Sequence, residues 1–361
     1  MTGPAGWRAR VAGWPWRLIA IVAALGLPLA TALGLGPPLD VLARVYLLAV
    51  LAVGLNIVVG YAGILHLGYA AFFALGAYTA GILTTPKFPF QWSLWFALPV
   101  AGLAGAVFGM VLGAPLLRLR GDYLAIVTLG FGEIIQVVLI NVTEVTSGNR
   151  GISRVGAATP IDWPLGATRH FWYYFALALL AGAILVSRRL ECSRWGRALI
   201  AIREDELAAD CMGVNPVRAK LLAFVASAVV AGVGGAAYGS LASAVFPLDF
   251  HFNVSAMLLC MVILGGIGNP YGVVLGAVIL TGFDNVVAPW ITRTLHRATG
   301  DASDAWWGMF VDFKNYRFLL YGVALVLLMR LRPEGLLPSA ELRAELHGGG
   351  PPEDAPAGAA T

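Results

Sequence analysis

Residues 41–60 read VLARVYLLAVLAVGLNIVVG, and Arg44 is the sole charged residue in this run. An α-helix needs about 20 mostly apolar residues to cross the ~30 Å hydrocarbon core of a bilayer. The run has that length, and Arg44 lies near its start, where a long side chain can reach the interface. The stretch therefore predicts a transmembrane helix.

The composition of the whole chain extends this prediction. Of its 361 residues, 59% are hydrophobic and 12% are charged, whereas soluble domains have about a quarter of their residues charged. The net charge of +4 is modest and no groove-like basic patch is evident, so we expect no nucleic-acid partner. Three cysteines without paired spacing predict neither a disulfide framework nor a metal site.

Further apolar runs indicate a polytopic, all-α bundle of about ten transmembrane helices. The first run is interpreted as a retained helix and not as a cleaved signal peptide, because many spans follow it. The predicted spans cover residues 18–36, 41–60, 64–84, 93–117, 123–142, 171–187, 220–243, 254–268, 271–290 and 317–332.

The positions of the arginines orient these spans, because cytoplasmic loops carry an excess of Lys and Arg. Both termini are then cytoplasmic, and residues 18–338 form the transmembrane domain. This domain includes a cytoplasmic coupling loop at 188–219 and external loops at 143–170 and 291–316. A cytoplasmic N-terminal stretch at 1–17 and a disordered cytoplasmic tail at 339–361 flank it.

Two features inside the spans have open interpretations. Small residues recur every fourth position, which favours close helix packing or a surface that slides during transport; they are Ala101, Gly105, Gly109 and Gly113, and Ala231, Gly235, Gly239 and Ser243. The sequence GGIGNPYG at 265–272 predicts either a turn or irregular backbone at membrane depth.

Glu133 lies in the middle of a predicted span. A charge at that depth is costly, so we expect the side chain to face the bundle interior or to be protonated. It is a candidate to line a transport pathway, to bond a neighbouring helix or to lie near a cavity mouth.

Charge concentrates in the loop GRALIAIREDELAADCMGVNPVRAK at 196–220. Good helix formers without Gly or Pro predict one helix over 197–212, with Ile200, Leu207 and Cys211 on one face. Gly213 is placed to end that helix in a left-handed cap, and Asn215 followed by Pro216 is typical of a new helix start. The acidic residues favour a protein partner over anionic lipid.

This loop resembles the cytoplasmic coupling motif of bacterial ABC importer permeases, in which Glu-Ala-Ala is followed by three residues and Gly. Ala208, Ala209 and Gly213 match the motif, while Leu207 stands at its Glu position. The resemblance implies that this loop docks on an ATPase subunit. The coupling candidates are Arg203, Glu204, Asp205, Glu206, Leu207, Ala208, Ala209 and Gly213.

Other blocks are similar to the LivM-type permeases of branched-chain amino acid importers, in that family's order. They are GYAGILHLGYAAFFALGAYTAGIL at 60–83, LRLRGDYLAIVTLGFGEII at 117–135, LGGIGNPYGVVLGAVIL at 264–280 and RPEGLLP at 332–338. One block departs from the family pattern, because His66 and Tyr69 stand where Ser and His are usual.

The resemblance implies a bacterial inner-membrane transport subunit that is not an enzyme. None of the three lysines follows a glycine, so the chain has no phosphate-binding loop, and ATP and Mg are expected in partner subunits, with no cofactor or metal here. The implied partners are a sister permease, two ATP-binding subunits, a periplasmic or lipid-anchored binding protein and membrane lipid. A same-family permease for urea or short amides, an ATP-independent secondary transporter and a membrane enzyme are the alternatives.

Overall fold

The computed structural model describes residues 28, 38–116, 122–156, 165–289, 292, 294, 317–332 and 335–337. The N-terminal stretch at 1–17, nearly all of the predicted span at 18–36, most of the external loop at 291–316 and the tail at 339–361 lie outside the described residues.

The described chain is built almost entirely from helices. The α-helices of six residues or more are α1 (Leu39–Asn56), α2 (Tyr69–Thr84), α3 (Leu94–Leu116), α4 (Asp122–Asn141), α5 (Leu165–Glu191), α6 (Arg194–Glu204), α7 (Glu206–Cys211), α8 (Pro216–Ala242), α9 (Phe252–Gly265), α10 (Pro270–Gly282) and α11 (Arg317–Leu331). Two π-helical segments, Ile57–Tyr61 and Phe283–Val287, continue α1 and α10.

Five helical segments in the described residues are long and apolar enough to cross a membrane. They are Leu39–Tyr61, Leu94–Pro115, Tyr123–Asn141, Arg169–Glu191 and Pro216–Ala242. Shorter apolar helices lie at Tyr69–Thr84 and Phe252–Gly265. Each predicted span between residues 41 and 332 overlaps one of the helices above, so the all-α membrane bundle predicted from the sequence is confirmed.

The predicted span at 64–84 is wrong over its first part, because residues 63–68 are not helical. Gly63 has a φ of +67°, a left-handed conformation that ends the preceding helix. The Leu67 N–H donates to Thr128 Oγ1 of α4 at 3.2 Å. Irregular backbone at membrane depth survives where protein or a cavity covers it, and α4 provides part of that cover.

Helix α8 packs against α2 on one side and α3 on another, through glycines. A Cβ on Gly105 of α3 would collide with the carbonyl oxygen of Ala228, and one on Gly235 of α8 would collide with that of Phe73 in α2. A polar contact adds to this packing, because Ser227 Oγ donates to the Gly54 carbonyl of α1 at 2.7 Å. The small residues therefore serve close helix packing.

The GGIGN sequence forms a turn between α9 and α10. Gly266 and Gly268 have φ values of 115° and 87°, and Asn269 caps α10. The segment 335–337 covers this turn, with the N–H groups of Leu336 and Leu337 donating to the carbonyls of Leu264 and Gly265. Two of the sequence blocks singled out above therefore meet in space.

Helix α5 is longer than the predicted span at 171–187. It begins at Leu165, inside the predicted external loop, and ends at Glu191, inside the predicted loop at 188–219. A contact between Arg188 and Glu191 supports its last turn. Just after the C-terminal end of α8, the two-residue strand β2 (Ala244–Val245) pairs antiparallel with β1 (Ile152–Ser153).

Candidate coupling surface

The charged loop begins with α6, which lies against the end of α5. Ser193 caps α6 by accepting a hydrogen bond from the Gly196 N–H at 3.2 Å. Gly196 approaches the last carbonyls of α5 so closely that a side chain there would collide with them. Leu199 and Ile202 are buried on the same side of α6, so hydrophobic burial fixes this helix against its own chain.

The prediction of one continuous helix over 197–212 is wrong. Asp205 interrupts it with an extended backbone, at φ −151° and ψ 109°. Its Oδ1 accepts hydrogen bonds from the N–H groups of Leu207 at 2.8 Å and Ala208 at 3.0 Å. An aspartate side chain that bonds nearby backbone N–H groups competes with the helix and starts a new one, which is why α7 is separate from α6.

This break changes which side chains face outward. Ala209 is buried, whereas the side chains of Leu207 and Met212 are 72% and 84% exposed. The predicted common face of Ile200, Leu207 and Cys211 does not form, because Leu207 and Cys211 are exposed while Ile200 is partly buried. Helix α7 therefore presents an apolar pair to its surroundings.

The predicted caps after α7 are confirmed. Gly213 has a φ of +86°, its N–H donates to the Asp210 carbonyl, and the Val214 N–H donates to the Ala209 carbonyl. This pair of hydrogen bonds is the Schellman motif. Asn215 then caps α8 by accepting from the Arg218 N–H at 3.0 Å.

Polar contacts also attach α6 and α7 to the membrane bundle. Arg203 Nη1 of α6 donates to the Gly60 carbonyl of the first π-helical segment at 3.0 Å. Glu206 Oε2 of α7 lies 2.8 Å from Lys220 Nζ of α8, and these side chains are 33% and 12% exposed. We call residues 194–213 the coupling element.

The predicted coupling residues therefore divide into two groups. Arg203, Glu206 and Ala209 lie against the chain's own helices. The exposed members are Glu204, Asp205, Leu207, Ala208 and Gly213. The exposed group has the chemistry of a docking surface, with an apolar residue flanked by carboxylates.

Glu133 lies in the central part of α4 and is exposed. The expectation that it faces the bundle interior is not met within the described chain. The packed side of α4 carries Thr128 and Gln136, whose Nε2 donates to the Pro247 carbonyl at 3.4 Å. Exposed Ile134 and Val137 neighbour Glu133 on the helix.

Sequence reasoning missed a polar cluster where α1, α5 and α10 meet. The Tyr61 hydroxyl lies 2.9 Å from Ser187 Oγ and donates to Glu191 Oε2 at 3.3 Å. Arg188 contacts Glu191 and lies over the ring of Tyr271, 4.8 Å from its centroid. The i,i+3 spacing of Arg188 and Glu191 is a sequence signal, but nothing local indicates Tyr61 or Tyr271.

His66, for which the sequence suggests helix packing or hydrogen bonding, lies in the irregular segment before α2. It is buried against the rings of Tyr69, Phe72 and Phe224, whose centroids lie 4.8 to 5.9 Å from its own. Its packing supports the segment 63–68. Among the described residues, no group of three or more His, Cys, Asp or Glu side chains is arranged to hold a metal ion.

The described chain is a helical membrane bundle with a capped, acidic helical element at residues 194–213 between two of its long apolar helices. The family described as "Branched-chain amino acid transport system / permease component" matches residues 38–329, and the chain belongs to that family.

Relatives include the high-affinity branched-chain amino acid transport permeases LivM of Salmonella typhimurium and Escherichia coli. They are 38% and 37% identical over 332 residues, which cover 86% of this chain and 72% of each relative. The LivH permease of Salmonella typhimurium is 25% identical over 64% of this chain and 79% of its own length. No solved structure matches the chain.

Proposed function

We propose that this chain is the permease subunit of an ATP-driven ABC importer for branched-chain amino acids. One observation carries the proposal: residues 194–213 form a capped element attached to the bundle at Gly60 and Lys220, with Leu207 and Met212 exposed. Such an element can bind a partner through its outer side and pass a displacement to the spans through its inner side. The names of its LivM relatives supply the substrate class.

The proposed assembly contains a sister permease, two ATP-binding subunits and a periplasmic or lipid-anchored binding protein. The similarity to LivH supports a sister chain of the same family. ATP and Mg bind to the partner subunits, and this chain carries no cofactor and catalyses no reaction. The assembly lies in the bacterial inner membrane, with both termini of this chain in the cytoplasm.

The mechanism is a shift between two packed states. Nucleotide binding brings the ATP-binding subunits together, and the coupling element moves with the surface on which it docks. The permease pair then alternates between outward-open and inward-open arrangements. Nucleotide drives the change because it binds one state more tightly than the other.

The proposed pathway runs beside α4, between this chain and its sister. Glu133 lies 11 residues after Asp122 and 8 before Asn141, so it is ~16 Å and ~12 Å from the helix ends along the axis. A carboxylate exposed at that depth is costly against lipid. A water-filled pathway or a polar partner therefore fits this side chain better than hydrocarbon.

Reconstitution of the complete complex in proteoliposomes tests this function. With the binding protein outside, leucine is expected to stimulate ATP hydrolysis and to accumulate in the lumen. Urea, acetamide and ribose serve as comparison solutes. Accumulation of urea or acetamide in place of leucine would contradict the substrate class, and leucine uptake without ATP would contradict the ABC mechanism.

A further inference from the structure

Arg203 lies where the coupling element meets the inner end of the α1 span. Its Nη1 donates to the Gly60 carbonyl at 3.0 Å. Its side-chain stem covers Gly63, because a Cβ on Gly63 would lie 2.8 Å from Arg203 Cγ. The arginine is partly buried, so this contact is shielded from water better than an exposed hydrogen bond.

The backbone that Arg203 holds is irregular over a dozen residues. Gly60 belongs to the π-helical segment Ile57–Tyr61, which is followed by left-handed Gly63 and by the non-helical residues 64–68. π-helical turns inside helices mark places where the helix departs from its regular geometry, frequently at functional sites. We call residues 57–68 the inner hinge.

Besides the contacts of Tyr61 with α5, the inner hinge contacts other parts of the bundle. A Cβ on Gly60 would lie 2.9 Å from Gly268 in the α9–α10 turn, whose N–H donates to Asn56 Oδ1 at 3.0 Å. Leu67 is bonded to Thr128 of α4. His66 packs against Phe224 of α8 at 4.8 Å between ring centroids. Movement of the hinge would therefore displace its contacts with α4, α8 and the α9–α10 turn.

The ion pair between Glu206 and Lys220, the second attachment of the coupling element, joins it to a regular helix. Glu206 pairs with Lys220, which belongs to the continuous 27-residue helix α8. A displacement entering there moves a regular helix packed through close glycine contacts. A displacement of Arg203 would instead move the inner hinge, whose residues 63–68 are not helical. This segment includes Leu65, which is 47% exposed.

We propose that Arg203 is a positioning residue that transmits movement of the coupling element to the inner hinge, so that residues 63–68 act as the inner gate. The proposal rests on the proposed function, because it needs a nucleotide-driven partner on the coupling element. It adds a route into the membrane domain besides the start of α8. In this route Arg203 acts within its own chain and does not need to touch the ATP-binding subunit.

The test measures the accessibility of position 65, the exposed residue of the inner hinge, by thiol labelling. Leu65→Cys is introduced after Cys192→Ser, Cys211→Ser and Cys260→Ala, and the complete complex is labelled with a thiol reagent with and without a non-hydrolysable ATP analogue. Arg203→Met keeps the stem but loses the donor. Arg169→Met is the control, because Arg169 lies in α5, outside the coupling element, and its pair with Asp40 is exposed.

We expect the nucleotide to change the labelling rate at position 65 in the parent and in Arg169→Met, and to leave it unchanged in Arg203→Met. Uptake by Arg203→Met should fall about tenfold, the size of effect expected for one charge-assisted hydrogen bond. Arg203→Lys should retain part of both responses because it keeps a cationic donor. Hydrogen exchange of residues 57–68 in chains with native Leu65 gives the same readout if the cysteine variant does not assemble.

The contradicting outcomes are distinguishable. If ATP-binding subunits assemble and the nucleotide response at position 65 survives in Arg203→Met, the route through Arg203 is wrong and the importer function stands. If the parent assembles with those subunits but the hinge does not respond to nucleotide, the gate is wrong. If no ATP-binding subunit is recovered with the parent, both this route and the proposed function are overturned.

Discussion

Glu206 Oε2 and Lys220 Nζ lie 2.8 Å apart, and their ion pair joins the first residue of α7 to the start of α8. The pair is shielded on the lysine side, since that side chain is 12% exposed. Partly buried pairs behave differently from surface pairs, because removing one partner leaves a charge without compensation. The position of α7 therefore depends on both residues.

Glu206→Gln should destabilise the chain more than the double variant Glu206→Gln with Lys220→Met. The single variant leaves the lysine charge poorly compensated, at a cost of about 1–3 kcal/mol. Thermal unfolding of the purified complex measures the stability of the single and the double variant. The matched control is Asp40→Asn, which breaks the exposed pair with Arg169 and should cost less than about 1 kcal/mol. Equal effects of the single and double variants would contradict a structural role for the pair.

Substitution of Gly213 should impair coupling through the backbone. Its φ of +86° costs an L-residue about 1–2 kcal/mol, and nothing in the described chain lies within 4 Å of a Cβ placed there. Gly213→Val should therefore reduce uptake strongly while the complex still assembles. Gly213→Asn should retain more uptake than Gly213→Ala, because Asn tolerates the left-handed conformation. The reverse order would indicate that steric conflict with a partner dominates.

Leu207→Glu should weaken binding of the ATP-binding subunits without unfolding the permease. The side chain is 72% exposed, so its replacement removes little packing within this chain. A new carboxylate would add to the neighbouring acidic residues and cannot replace apolar contact. Co-purification at defined detergent and salt measures the effect. Cys192→Glu, exposed and outside α7, is the control and should leave recovery of those subunits unchanged.

Glu133→Gln should lower leucine uptake about tenfold if the carboxylate contacts the pathway, since hydrogen bonds to charged groups contribute about 1.5–3 kcal/mol. The complex should remain assembled, and Glu133→Asp should restore part of the uptake. A lipid-facing Glu133 would give a different result. If Glu133 faces lipid, Glu133→Gln should stabilise the complex against heat and leave uptake unchanged.

Gly105→Ala should destabilise the bundle by about 1–3 kcal/mol, because the new methyl group overpacks the contact between α3 and α8. Gly182 of α5 is the matched control, since no atom in the described chain lies within 4 Å of a Cβ placed there. Gly182→Ala should be neutral or slightly stabilising, because Ala has the higher helix propensity. Similar unfolding temperatures for the two variants would contradict the packing described here.

The sequence predicts those features of the fold that depend on local chemistry. Apolar length is sufficient to locate the spans, and Gly213 and Asn215 identify the caps around the end of α7 and the start of α8. The break at Asp205 was missed because summed helix propensities ignore the competing hydrogen bonds that one aspartate makes. The start of α2 at Tyr69 was missed because residues 64–68 are mostly apolar, while their backbone follows contacts with α4 and α8.

The candidate site was predicted only in part. The motif around Ala208 predicts the position of the proposed docking surface, because its signal lies within a few neighbouring residues. The contact of Arg203 with Gly60 joins residues 143 positions apart, and a single sequence contains no local pattern for it. The exposure of Glu133 likewise depends on which side of α4 packs against α2, which hydrophobicity alone does not determine.

The most direct test of the importer function is the composition of the intact complex. The tagged chain would be extracted gently from its native membrane, and its stoichiometric companions identified by mass spectrometry. The proposed assembly predicts one sister permease and two ATP-binding subunits for each copy of this chain. Recovery of the chain alone, or of a homo-oligomer that moves solute without ATP, would contradict the importer function and the role assigned to residues 194–213.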